Sequence, residues 1–244
     1  MGRRSERWQT GRMTAIRGAR ERARAEVTAA IKEEARRQLA DQGAAKLSLR
    51  AVARELGMVS SALYRYYPSR DELLTALIVD AYDAIGAAAE AALAATRGDD
   101  DPVARWTAVC RAARAWALAH PHEYALIYGS PVPGYSAPQA TVAPASRVAL
   151  ALIAVVRDAY AAGALRVPEE AELPEGVRAD ITALADTLGT ELPAAALAAL
   201  AAAWAQLFGL LSFELFGQFQ GVVEAREEFF THTAAALGRH VGLG

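Results

Sequence analysis

Between Leu47 and Leu74 the chain carries punctuation residues at distances that leave room for little but two short helices and the start of a third. Ser48 is a good N-cap, because its hydroxyl can accept an orphan amide hydrogen of a first helical turn. Leu49, Val52, Ala53 and Leu56 then share one helical face. Gly57 follows where a left-handed residue closes a helix. Ser60 or Ser61 suits the N-cap of the next helix, which turns Leu63 inward and sets Tyr64, Arg65 and Tyr66 around its rim. Pro68 ends it, since proline removes a donor and disfavours helix at the preceding Tyr67. Ser69-Arg70-Asp71-Glu72 reads as a capping box that opens the third helix. Two helices around a glycine-bearing turn make a helix-turn-helix, whose second helix can enter a DNA major groove. An ordinary helical hairpin uses the same caps, and spacing alone does not separate the two.

The residue detail does. Val-Ser-Ser-Ala-Leu-Tyr-Arg-Tyr-Tyr-Pro-Ser-Arg-Asp-Glu-Leu-Leu, from Val59, resembles the recognition-helix signature of the tetracycline-repressor family of bacterial transcription regulators. The resemblance covers roughly Ile31 to Leu77. It departs at Val59, where the family often has a small polar cap, and at Arg70, often lysine. It implies that Ser48, Tyr64, Tyr66 and Arg70 contact DNA phosphates, with Ser60, Ser61 and Arg65 nearer to base edges.

The rest of the chain fits a reader of nucleic acid. Residues 1–80 hold 16 Lys and Arg against 10 Asp and Glu, while the remainder holds 10 against 18. A basic head on an acidic body suits DNA binding by one end only. The single Cys110 excludes a disulfide framework and a multi-cysteine metal site, and it fits a reducing cytoplasm. Met1 to Arg24 is rich in arginine and lacks the apolar core of a signal peptide. Alanine dominates and no clear alternating run marks a strand, so the expected class is all-α.

Three regions are expected. Residues 1–20 read as a mobile basic arm, able to reach an adjacent minor groove. Residues 21–80 form the helix-turn-helix head, with its first helix at about Arg22 to Gln42. Residues 81–244 form the body, entered by a long helix that runs from Ser69 to about Ala95. Asp101-Pro102 starts the next helix, with Val103, Trp106, Cys110, Ala113, Trp116 and Ala117 on one face. A short helix ends at Gly129, and a Pro- and Gly-rich loop runs from Ser130 to Pro144. Helices at about 145–162, 177–188, 194–213 and 224–241 complete the body, with an acidic connector at 167–176.

Ala194 to Phe213 is long enough and apolar enough for a membrane span, with only Gln206 and Ser212 polar. Its many alanines are weakly lipophilic, and Glu191 and Glu214 flank it without basic or aromatic anchors. A helix apolar on all sides can instead be buried on all sides, against its own core and a second subunit. The family resemblance agrees, since its members pair through their last two long helices. It points to a homodimer, with Trp204, Leu207, Leu211, Phe229 and Leu237 as contact residues. The Tyr124 to Tyr135 and Trp204 to Gly209 segments also resemble a subgroup of these regulators, which often has His where this chain has Phe208.

Trp106, Trp116, Tyr124, Tyr128, Phe208 and Phe213 lie on helices that should converge. They are the candidate lining of a small-molecule site, although each alone could be core. His120-x-His122 has no evident third metal ligand, and its proline suits a helix break. Enzyme signatures such as Gly-x-Ser-x-Gly or His-Glu-x-x-His are absent. The expected function is a cytoplasmic, dimeric regulator without a cofactor or membrane contact. It would repress from a palindromic double-stranded operator and be released by a small apolar effector. The alternatives are an effector-independent architectural DNA-binding protein and a helical enzyme or membrane-attached protein.

Overall fold

In the computed structural model, residues 3–167 and 173–244 are described, with side chains from Gly18 onward. The described residues form ten α-helices and contain no strand beyond an isolated bridge between Leu165 and Leu243. The chain divides into two compact units. One holds the residues up to Leu77 together with Pro131–Ser136; the other holds Ile78–Ser130 and Ala137–Gly244.

The first unit is built from α1 (Arg3–Gln42), α2 (Leu49–Glu55), α3 (Ser60–Leu63) and the opening of α4 (Arg70–Ala95). Its caps follow the sequence closely. Ser48 Oγ accepts from the Ala51 amide at 3.4 Å, and Gly57 closes α2 with φ +64°. Ser69 Oγ accepts from the Glu72 amide at 3.1 Å at the start of α4. Ile31, Ala35, Val52, Leu63, Leu73 and Leu74 form the core.

Three expectations change in this unit. Helix α1 begins at Arg3 rather than near Arg22. Arg, Ala, Glu and Gln are strong helix formers, and Gly11 and Gly18 cost only about 1 kcal/mol each against Ala. The arm's side chains before Gly18 lie outside the described residues. The N-cap of α3 is Val59, one residue before the expected serines, and its side chain makes no capping hydrogen bond. The head also contains Pro131–Ser136, which its Pro- and Gly-rich composition assigned to a body loop. A tight turn closed by Tyr135 N–H to Val132 O at 3.1 Å presents Tyr135, whose hydroxyl bonds Thr75 Oγ1 at 2.8 Å.

The second unit contains the remainder of α4 and α5 (Pro102–Ala119), α6 (Pro121–Tyr128), α7 (Val142–Ala161), α8 (Glu175–Leu188), α9 (Ala194–Leu215) and α10 (Arg226–Val241). Asp101 caps α5 as expected, accepting from Val103 and Ala104 amides at 2.8 and 3.1 Å. Residues 168–172 of the acidic connector lie outside the described residues. Helices α7 and α9 are long and apolar enough to cross a membrane by length and composition. Both instead pack on α5, and α9 also packs on α6, α8 and α10.

Polar ties fix the body helices against one another. Arg114 of α5 donates to both carboxylate oxygens of Glu214 on α9, at 2.8 and 2.6 Å. Arg147 of α7 donates to Glu90 at 2.8 and 2.6 Å and to Asp83 Oδ1 at 2.8 Å, both on α4. The guanidinium between them holds the Glu90 carboxyl below its ordinary pKa.

Candidate nucleic-acid interface

The amide caps at Ser48 and Gly57 set α2 and α3 at the surface of the head, and they decide what α3 presents. Leu63 is fully buried and Tyr67 nearly so, which turns the other side of the helix outward. Ser60, Ser61, Tyr64 and Arg65 are all exposed there. Beside them lies a cleft of about 440 Å³, lined among others by Ser48, Arg50, Tyr64, Ser69 and Arg70. Hydroxyl donors and a free-standing guanidinium around such a concavity suit a phosphate oxygen.

The seven residues expected at DNA do not have equal freedom. The side chains of Ser60, Ser61, Tyr64 and Arg65 have no hydrogen-bond or ion-pair partner among the described residues, and only their backbones are tied into the helix, as by Tyr64 N–H to Ser60 O at 3.0 Å. Ser48 already caps α2, and its amide donates to Gln38 Oε1 at 3.4 Å. Arg70 donates to the carbonyls of Ala44 and Ala45 at 2.8 and 3.3 Å, so it braces the segment before α2. Tyr66 is half-buried under the Arg24 guanidinium, 5.2 Å from its ring centroid. Arg50, exposed and on the cleft, escaped the sequence reading. Its only signal was a basic residue two positions past a helix cap.

The body holds an aromatic cluster. Tyr128 stacks on Phe208 with centroids 4.1 Å apart, and Tyr124 lies 5.1 Å from Tyr128. Tyr82, Trp204 and Phe216 complete the group, at 5.9 Å from Tyr128, 5.5 Å from Phe208 and 6.2 Å from Tyr124. The two tyrosine hydroxyls of α6 differ. Tyr124 Oη donates to Phe208 O at 3.1 Å and shares a bond with Ser212 Oγ at 3.0 Å. Burial pushes its pKa up to about 12. The Tyr128 hydroxyl has no hydrogen-bond partner among the described residues, and burial raises its pKa strongly.

Of the six expected effector residues, the structure joins Tyr124, Tyr128 and Phe208. Trp116 is buried in the same core, but its ring stacks on His120 at 5.0 Å rather than on the cluster. Trp106 stands apart, fully buried, with its indole N–H donating to Ala234 O at 3.0 Å. Phe213 points outward at 53% exposure and meets Phe219 instead. The sequence reading left out Tyr82, on α4, together with Trp204 and Phe216, which flank Phe208 on α9 and at its C-cap.

The residues expected at a dimer contact divide by burial. Leu207, Leu211 and Leu237 are buried within their own chain, while Trp204 and Phe229 are each 37% exposed. Ala201, Ala202 and Ala205 of α9 face outward. The large leucines fill the core because each buries more apolar area per residue, and alanines are left for the outer face.

Comparison with known proteins bears on both units. Residues 31–77 match the family of bacterial regulatory proteins of the tetR type. Residues 106–237 match the tetracyclin repressor-like C-terminal domain. HTH-type transcriptional regulators of Mycobacterium bovis and Mycobacterium tuberculosis are each 43% identical over 208 residues, covering 83% of this chain and 86% of theirs. Among solved structures, SCO4313, described as a regulatory protein, is 38% identical with a TM-score of 0.70, covering 89% of this chain and 97% of its own. A TetR family transcriptional regulator from Thermus thermophilus shares the fold at 20% identity and a TM-score of 0.55, over 87% of this chain and 96% of that one.

Proposed function

Because this chain belongs to the tetracycline-repressor family of transcription regulators, we propose that it is a homodimeric repressor that binds a palindromic operator and leaves it when a small apolar molecule enters the body. The observation that carries the DNA reading is the exposed face of α3, where the side chains of Ser60, Ser61, Tyr64 and Arg65 have no partner among the described residues. Phosphate contacts set position and base-edge contacts set sequence. Tyr64 lines the cleft and takes the first role; Ser60, Ser61 and Arg65 take the second. The test is fluorescence anisotropy of the full chain on duplexes from the DNA flanking its own coding region. Tyr64→Phe is expected to weaken binding to every sequence by about 1 kcal/mol, the net worth of one hydrogen bond. Unchanged binding by Tyr64→Ala would remove α3 from the groove.

The dimer reading rests on the outer face of α9 and α10, where Ala201, Ala202, Ala205, Phe213 and Phe229 are exposed. Two such helices from each subunit make a four-helix contact. The operator is then read by two heads at a fixed spacing.

The effector reading rests on the Tyr82–Tyr124–Tyr128–Phe208 cluster and on the Tyr128 hydroxyl, which has no hydrogen-bond partner among the described residues. Apolar walls with one orienting polar group are typical of small-molecule sites. Only three residues separate Tyr128 from Val132, the start of the turn that presents Tyr135 to Thr75. A ligand that shifts α6 therefore biases a segment of the head through a short, proline-stiffened link, which is a shift in population between two states. Tyr135→Phe removes the hydrogen bond to Thr75. It is expected to keep operator affinity within about threefold while blunting effector-driven release. A thermal-shift screen supplies the effector, and DNA release by wild type and variant supplies the readout. Equal release by both would exclude the Tyr135 link.

A further inference from the structure

Val59 breaks a local rule with no internal return. It occupies the N-cap of α3, with φ −69° and ψ 137°, and makes no side-chain capping bond. Valine is among the poorest residues for that position, where serine, threonine, aspartate or asparagine satisfies an orphan amide. Its isopropyl group is 70% exposed, so the fold does not bury it either. Exposed single aliphatics are common on surfaces and need no explanation by themselves. This one stands at the first position of an exposed face whose other members, Ser60, Ser61, Tyr64 and Arg65, are polar or carry a polar tip. Violations of local rules tend to gather where a partner supplies the missing contact.

The chemistry of the partner follows from the groove. Residues at the N-terminal end of a recognition helix approach base edges. The valine side chain can neither donate nor accept a hydrogen bond, so it cannot hold a phosphate. The major groove offers one apolar group at base edges, the C5-methyl of thymine, and apolar side chains recognise it by contact. We propose that Val59 is a specificity-determining residue that reads the C5-methyl of a thymine in each operator half-site. This rests on the DNA-binding function proposed above and adds to it a base and an atom.

The experiment uses the full-length chain. A preferred duplex is first selected from a random library, and each thymine in it is then replaced singly by deoxyuridine, which pairs identically and lacks only the methyl. For wild type, replacement at one thymine of a half-site is expected to weaken binding about fourfold, the worth of one buried methyl. Val59→Ala is expected to bind the thymine and uracil duplexes equally at that position. Val59→Ser restores a capping hydroxyl, so it should lose the same discrimination while melting no lower than wild type. The inference is overturned if no single replacement affects wild type. It is equally overturned if every sensitive thymine stays sensitive in Val59→Ala, or if Val59→Ser melts lower, which would make Val59 a structural residue. A selection that enriches no sequence would instead sink the operator reading, and the role of Val59 with it.

Discussion

Trp106→Ala is expected to cost the body about 3–5 kcal/mol of unfolding free energy, the usual range for deleting a buried aromatic side chain. The indole lies in α5 with no exposed surface. It is held from two directions by α10. Its N–H donates to Ala234 O at 3.0 Å. One turn further on, Gly238 lies so close that a Cβ there would sit 3.0 Å from Trp106 Cδ1. Glycine at that site lets α10 settle onto the ring, so the ring and the glycine are complementary parts of one joint. Removing the indole leaves a void that the helices cannot close without sliding, and it takes a donor from the Ala234 carbonyl. A domain of this size is stable by only about 5–15 kcal/mol, so the loss should be visible as a large drop in the denaturation midpoint. The measurement is equilibrium denaturation followed by circular dichroism at one fixed protein concentration, since association would also contribute. A loss under about 1 kcal/mol would mean that α5 and α10 repack freely. Gly238→Val should destabilise for the opposite reason, by overpacking the same contact.

How much of this was legible in the chain depends on what kind of signal each residue carries. Caps and stops act locally, so Ser48, Gly57, Asp101 and the Gly129 stop of α6 stand where the sequence places them. The α5 stripe was nearly as readable: Trp106, Cys110, Ala113, Trp116 and Ala117 are all buried, and only Val103, in the first turn, is half-buried. Helix α9 shows where periodicity fails. It is apolar around its whole circumference, so no stripe distinguishes the core side from the outer side. The leucines at 207 and 211 look like contact residues by size, yet they are the ones that fill the core. The aromatic cluster was half readable, because Tyr124 and Tyr128 share a helix, whereas Tyr82 and Phe216 reach it only through tertiary packing. The Pro131–Ser136 insertion into the head was not readable at all. A proline-rich loop has no periodicity, and its partner Thr75 lies 60 residues away in sequence.

Ala205→Glu is expected to split the proposed dimer without unfolding the subunit, and so to weaken operator binding by about 100-fold or more. Three physical terms separate it from its neighbours on the same helix. Ala205 is exposed in the single chain, so a carboxylate there meets water when the subunit is alone. Glutamate is nearly as good a helix former as alanine, so α9 itself loses little. In a twofold contact each substitution appears twice, which sets two like charges in one interface and removes both from water, at a cost of several kcal/mol. Loss of the second head then removes the gain from bivalent binding, typically 10²–10⁴ in affinity. Leu207→Glu makes the contrast. Leu207 has no exposed surface, so the same charge two positions along is buried in the subunit's own core. That variant should lose helical content and aggregate, whereas Ala205→Glu should keep wild-type circular dichroism and sediment as a monomer at micromolar concentration. If Ala205→Glu remains a dimer and keeps its operator affinity, the outer face of α9 is not the interface, and the two-headed mechanism needs another contact.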